Sequence, residues 1–331
     1  MSAPVYKKKD FMADQLVRWC PGCGDYSILS QVQTVLSKLG RPKEEFVVIS
    51  GIGCSSRFPY YMDTYGFHTL HGRAPAVASG LKVTRPELSV WMVTGDGDAL
   101  SIGGNHIIHL LRRNIDLNVL LFNNRIYGLT KGQYSPTSEQ GKVTKSSPMG
   151  SLEVPFNPLS LALGSGGSFI ARGIDVFGKH LREMMMASDA HKGTSFLEIY
   201  QNCLIFNDHA FGSFTDREVR DEKILYLEEG QPLIWGKEVR RGLVLDGLAL
   251  KVVEVTDEAQ ILVHDPRSKA LAHLLVELDG TGETPVPVGI FYREDRSTYG
   301  ELFQAQIAES RQTLGNGELA DLIDSSDSWT V

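Results

Sequence analysis

The sequence predicts a mostly parallel α/β sheet with helices on both faces. Three features carry that expectation. Short apolar runs rich in β-branched residues recur through the first two hundred positions. Runs of that kind, without polar alternation, suit strands buried on both sides. Segments with apolar residues at helical spacing lie between them. Turns rich in glycine, aspartate and asparagine close several of the runs, where parallel strands hand over to helices.

Taken in order, residues 26–39 put Ile28, Leu29, Val32, Val35, Leu36 and Leu39 on one helical face, and Gly40 ends the pattern. FVVIS (46–50) reads as the first buried strand and runs into GIGCSS. RAPAVASGLKVT (73–84) is a helix of small residues, LSVWMVT (88–94) a strand leading to GDGD, and IGGNHIIHLLRRN (102–114) a helix. LNVLLFN (117–123) is a further buried strand. PLSLALG (158–164), SFIAR (168–172), a helix near 177–190 and the strand-like SFLEIY (195–200) continue the alternation. After about residue 215 the pattern loosens. LIWGKEVRRGLVLDGLALKVVEV suggests hairpins, residues 297–315 an amphipathic helix, and the acidic last dozen residues a mobile tail. The division expected is an α/β domain over 1–215 and a C-terminal extension over 216–331, packed on the core or on a partner.

Composition limits the function. Hydrophobic residues are 42% and charged residues 22%, as in ordinary globular proteins, and the formal net charge is −7. An acidic chain is a poor non-specific binder of nucleic acid. No apolar run approaches the ~20 residues of a membrane span, and the N-terminal stretch lacks the apolar core of a secretory signal. A cytoplasmic protein with reduced thiols is expected, so the four cysteines, Cys20, Cys23, Cys54 and Cys203, are not read as structural disulfides. Four is also the number that completes a tetrahedral metal or cluster site.

Gly95-Asp96-Gly97-Asp98 follows a strand and precedes a helix, where ligands of open α/β sheets bind. A helix N-terminus there offers N–H groups to an anion, and Asp96 offers a hard oxygen to a divalent cation. The next strand ends in Asn123-Asn124-Arg125-Ile126-Tyr127-Gly128. An aspartate, an asparagine amide oxygen and a backbone carbonyl make half of an octahedral Mg²⁺ shell, with diphosphate oxygens and water completing it. Either motif alone reads equally as an ordinary turn; the two in succession look like the fingerprint of thiamin diphosphate.

Cys20-Pro21-Gly22-Cys23 resembles a thioredoxin dithiol, but the 19 residues before Cys20 form no convincing strand. Structural zinc sites usually pair two Cys-x-x-Cys knuckles. One knuckle with two isolated cysteines suits zinc or an iron–sulfur cluster, and spacing does not separate them.

Over residues 19–203 the chain resembles the β subunits of the 2-oxoacid:ferredoxin oxidoreductases. The likeness runs in order through WCPGCGD, GIGCSSR, HGRA, GDGD, NNRIYGLTKGQYSPT and IYQNC, and less distinctively through PVGIFYREDRSTYGEL. It implies a thiamin-diphosphate-binding fold in which Cys20, Cys23, Cys54 and Cys203 hold one [4Fe–4S] cluster. Asp96, Asn124 and the carbonyl of Ile126 would bind Mg²⁺. Gly97, Asp98, Gly128 and Leu129 would line the diphosphate. Ile52, Gly53, Cys54 and Ser55 would touch thiamin, His71 would contact the cofactor, and Lys131 would help to recognise the 2-oxoacid.

The implied activity is oxidative decarboxylation of a 2-oxoacid to acyl-CoA and CO₂, with electrons passing through the cluster to ferredoxin. 2-Oxoglutarate is the substrate expected, with pyruvate or another 2-oxoacid as the alternative. A non-oxidative thiamin-dependent decarboxylase subunit carrying structural zinc is the rival reading. No glutamate lies in a motif suited to activating the aminopyrimidine, and Glu44 and Glu45 read as surface residues. The resemblance places that glutamate, and much of the coenzyme A site, on an α subunit in an α₂β₂-type assembly. His209 is left second to the site or structural, His106 and His109 beside a packed helix, and Arg57 and Arg73 as anion partners or structural groups.

Overall fold

The structure is a computed structural model that describes residues 4–324. β1 (Phe46–Ser50), β2 (Tyr65–His68), β3 (Ser89–Gly95), β4 (Leu117–Asn123), β5 (Phe169–Ile174) and β6 (Thr194–Tyr200) run parallel. β7 (Ile224–Leu227) and β11 (Val286–Arg293) join the same sheet, β11 antiparallel to β5 and parallel to β7. Among the described residues the order is β2-β1-β3-β4-β6-β5-β11-β7. β8 (Ile234–Trp235), β9 (Arg241–Asp246) and β10 (Ala249–Glu254) form a separate antiparallel sheet.

The central strands split their side chains between two apolar layers, because successive residues of a strand face opposite ways. Val47, Ile49, Val90, Met92, Val119 and Leu121 pack with α2 (Ala74–Thr84), α3 (Gly104–Arg113) and α4 (Pro158–Gly164), once α1 (Asp25–Leu36) is set on the other side. Phe46, Val48, Trp91, Val93, Leu120 and Phe122 pack against α1 and α5 (Gly178–Ala190). That double burial is why β1 and β4 read as continuous apolar runs.

The structure modifies the sequence reading at several places. The first helix ends at Leu36, short of Leu39. Strand β2 is new; its four residues are exposed at the sheet edge and carry no apolar run. The helix Tyr299–Leu314 forms with a Thr298/Glu301 capping box, yet none of its side chains is buried. Leu319–Asp324 adds a short helix, and the rest of the acidic tail lies outside the described residues.

Candidate active site

β1, β3, β4 and β6 are parallel neighbours, so their carboxyl-end loops meet at one edge of the sheet. A cleft of about 130 Å³ lies there, lined by Ile52, Gly53, Cys54, Ser55, His71, Asp96, Gly97, Asp98, Asn124, Ile126, Gly128 and Leu129. The structure therefore brings together the residues expected to hold the cation, the diphosphate and thiamin. Lys131 and the other three cysteines line the adjoining cavity instead.

Asp96 is buried, and burial lifts its carboxyl from 3.8 to about 6 against the pull of hydroxyl and backbone donors. Ser135 Oγ donates to its Oδ2 at 2.5 Å, and Thr137 Oγ1 contacts the same oxygen at 2.6 Å. Asn124 closes a short turn: its Oδ1 accepts from the Ile126 N–H at 3.1 Å, and Arg125 between them is left-handed at φ 56°. An amide oxygen has two lone pairs, so the turn leaves one for a cation. Gln201 Oε1 accepts from Asn124 Nδ2 at 2.9 Å and holds the amide in that sense. The Tyr127 hydroxyl donates to the Gly97 carbonyl at 2.9 Å, and a Cβ at Gly97 would strike the Tyr127 ring.

Asp98 lines the cleft, but its carboxylate is already engaged by the protein. Oδ1 accepts from the N–H groups of Gly72 (2.7 Å) and Ile52 (3.1 Å), and Oδ2 from the Thr94 hydroxyl at 2.7 Å. His71 Nδ1 lies 2.5 Å from the same Oδ1. Asp98 thus pins the loop after β1 and the His71 turn to the start of the π-helical turn Asp98–Ile102 that leads into α3. A Cβ on Gly51 would collide with this carboxylate.

The second cavity, of about 310 Å³, carries all four cysteines, with Asp25, Arg18, Arg57, Lys131 and Gln201 around them. It shares Cys54, Asn124, Gly128 and Leu129 with the cleft. Gly128 stands between the two: a Cβ there would rest 3.5 Å from Cys203 Sγ and 3.7 Å from Cys54 Sγ. The cysteines do not close on one point. Among the described residues no group of three His, Cys, Asp or Glu is placed to hold a single metal ion. Burial raises the thiols of Cys23 and Cys203, and lifts Cys54 to about 12, with the charge of Asp25 adding to the effect. Trp19 Nε1 donates to the Cys54 carbonyl at 2.6 Å, and Gln201 Nε2 to Cys23 Sγ at 3.4 Å. Lys131 is left-handed at φ 76°, a conformation that costs a lysine about 1 kcal/mol or more.

Asp25 heads α1 and is 1% exposed, and neither of its carboxylate oxygens has a hydrogen-bond partner among polar side chains or backbone. The Cys23 thiol lies beside it, and burial lifts its carboxyl from 3.8 to about 7. A carboxyl raised by folding favours the fold only while protonated. Its contribution is complete below the unfolded value and is lost as pH climbs through about 7. At 1.36 kcal/mol per unit the loss is on the order of 4 kcal/mol. The metal-free chain should therefore lose urea stability between pH 4 and pH 7, and Asp25→Asn should flatten that part of the profile. Equal slopes in both proteins would show that Asp25 is not the titrating group.

Sequence reasoning missed Ser135, Thr137 and Gln201, which reach the site only through tertiary contact. It also missed the buried pair below them, Arg172 Nε on Glu198 Oε2 at 2.7 Å. A charge inside each of two apolar strands, SFIAR and SFLEIY, was the available signal. His209 is exposed, near Asp208 and Asp216, and His106 contacts Arg73 on an exposed face. Glu44 is exposed and Glu45 half-buried.

Residues 51–199 match the thiamine pyrophosphate enzyme, C-terminal TPP binding domain. The 2-oxoglutarate oxidoreductase subunit KorB of Mycobacterium tuberculosis is 50% identical, over 98% of this chain and 88% of its own. The β subunit of 2-oxoacid:ferredoxin oxidoreductase 1 of Aeropyrum pernix is 39% identical, over 86% and 80%. A solved structure of the 2-oxoglutarate:ferredoxin oxidoreductase from Magnetococcus marinus, with 2-oxoglutarate, coenzyme A and succinyl-CoA bound, superposes with a TM-score of 0.78 at 32% identity. That match covers 98% of this chain and 97% of the other.

Proposed function

The chain belongs to the β subunits of the 2-oxoacid:ferredoxin oxidoreductases, and from that premise we propose that it forms the cofactor-bearing half of a cytoplasmic enzyme that converts a 2-oxoacid and coenzyme A to acyl-CoA and CO₂. The substrate proposed is 2-oxoglutarate, and the electron acceptor ferredoxin. The names of the mycobacterial relative and of the Magnetococcus enzyme favour that substrate.

One observation carries the reading: the cleft and the four-cysteine cavity share a wall at Cys54 and Gly128. When bound, thiamin diphosphate supplies an electron sink for loss of CO₂, and a [4Fe–4S] cluster a one-electron acceptor beside it. The residues present carry the donor chemistry of both groups, although the cysteines do not close on one point. Asp96, Asn124 and the Ile126 carbonyl are hard oxygens suited to Mg²⁺. Gly97, Asp98, Gly128 and Leu129 would edge the diphosphate, and Ile52, Gly53, Cys54 and Ser55 the thiamin side; all of them line the cleft. Cys20, Cys23, Cys54 and Cys203 would be the donor set of one cluster, and Arg18, Arg57 and Lys131 line the same cavity and would place positive charge around it. His71, braced by Asp98, faces the cleft, and Lys131 is available to pair with a substrate carboxylate. Glu198 is the one buried glutamate among the described residues, and Arg172 and Asn123 occupy both its oxygens. We assign the pyrimidine-activating glutamate to an α subunit, in an α₂β₂-type assembly.

Protein purified without oxygen should contain about four iron and four acid-labile sulfide per chain. It should be inactive alone and should reduce ferredoxin with 2-oxoglutarate and coenzyme A once joined to the α subunit. Stoichiometric zinc without sulfide would remove the electron relay and leave a non-oxidative thiamin enzyme.

A further inference from the structure

We propose that Thr137 and Ser135 are positioning residues for Asp96, their hydroxyls clamping one carboxylate oxygen beside a buried row of polar side chains, Arg172, Glu198 and Asn123. The proposal rests on the reading of Asp96 as a cation ligand.

The row crosses four neighbouring strands near their carboxyl ends: Arg172 on β5, Glu198 on β6, Asn123 on β4, and Asp96 just past β3. Arg172, Glu198, Asn123, Thr137 and Asp96 are all buried. Donor and acceptor roles are fixed along it from Arg172 as far as Asn123. A guanidinium only donates and an ionised carboxylate only accepts. Arg172 Nε therefore donates to Glu198 Oε2 at 2.7 Å, and Glu198 Oε1 must take a proton from Asn123. That bond, Asn123 Nδ2 to Glu198 Oε1 at 2.8 Å, fixes the amide and turns Asn123 Oδ1 toward Thr137 Oγ1 at 2.9 Å and the Arg125 N–H at 3.2 Å. Thr137 has one hydroxyl proton, and it goes to the nearer acceptor, Asp96 Oδ2 at 2.6 Å; Asn123 Oδ1, an acceptor only, packs against the Thr137 oxygen without a hydrogen bond of its own to it.

Ser135 gives the same Oδ2 a proton of its own. No side chain among the described residues donates to Oδ1, although the backbone N–H groups of Asp96 and Gly97 also act on the carboxylate. The terminal torsion of an aspartate is soft, and a carboxylate clamped through one oxygen presents the other in one direction. The two hydroxyls thus select the oxygen left for the cation. Loss of such an outer partner typically weakens metal binding by roughly 10–100-fold.

The test is Mn²⁺ affinity, read from the EPR signal of free Mn²⁺, in the assembled enzyme with thiamin diphosphate. Thr137→Val, which keeps shape and loses the hydroxyl, should bind Mn²⁺ roughly 10–100-fold more weakly. Thr137→Ser should bind close to wild type, and Ser135→Ala should weaken binding independently. Wild-type affinity in both T137V and S135A would overturn the proposal. Equal weakening in T137V and T137S would also overturn it, because the methyl group and not the hydroxyl would then matter. If T137V does not fold, S135A alone decides. An unmodified enzyme that takes up no Mn²⁺ would remove the cation reading itself, and the proposal with it.

Discussion

Replacing Asp96 with asparagine is expected to weaken Mg²⁺-dependent binding of thiamin diphosphate by more than about 100-fold, beyond the 10–100-fold typical of an outer partner. The same change should make the metal-free chain more stable at pH 8. Both effects have one origin. Asp96 is buried, and its carboxyl is lifted to about 6 by the loss of water. At pH 8 it is ionised in the fold at a cost that a bound cation relieves. The sign follows from linkage: an acid raised by folding destabilises the fold once pH passes its folded value. Asparagine removes the charge and keeps an acceptor for Ser135 and Thr137. Its stabilising effect should be present at pH 8 and absent near pH 4, where the wild-type carboxyl is protonated. Thermal unfolding with and without Mg²⁺ and thiamin diphosphate measures both parts. Unchanged cofactor affinity in D96N would place the cation elsewhere.

Glu198→Ala should be the most damaging single change to stability. Removing one member of a buried ion pair typically costs 3–5 kcal/mol, because the other charge is left without a partner. Arg172 is 3% exposed and Glu198 1% by side chain, and the guanidinium also lies 4.9 Å from the Tyr200 ring and 5.3 Å from the Phe291 ring. The loss should appear as a shift of about 10 °C in the thermal midpoint, at roughly 2–4 °C per kcal/mol for a chain of this class. Replacing both residues with apolar side chains of similar volume should recover much of it, since well-packed hydrophobes often match or better a buried pair. A loss below about 1 kcal/mol in E198A would mean that water reaches Arg172 and screens it.

The two central strands that were legible to the residue, β1 and β4, are those with apolar side chains on both faces. Their carboxyl-end turns were legible for a related reason: Gly, Asp and Asn after an apolar run mark both a chain reversal and a ligand position. β2 was not legible because four exposed residues at an edge show no periodicity. The antiparallel placement of β11 beside β5 is a matter of topology that local pattern does not encode. The same holds within the site. Asp96 and Asn124 announce themselves by position, whereas Ser135 and Thr137 reach Asp96 from a loop some forty residues on. Asp98 was legible as a site residue, but its bonds to Gly72 and Ile52 depend on loops from two other parts of the chain.

The division of β1, β3 and β4 between two apolar layers has a consequence for how this chain can change. Substitution of one apolar residue by another alters volume in a single layer, and the rest can adjust. Deletion or insertion of one residue inside such a strand is a different kind of event. Every side chain beyond the lesion exchanges layers, and Asp96 or Asn124 at the strand's end is displaced by about 3.3 Å. Length variation in the connections at the opposite, amino-terminal edge of the sheet, by contrast, leaves the strand register and those two residues where they are.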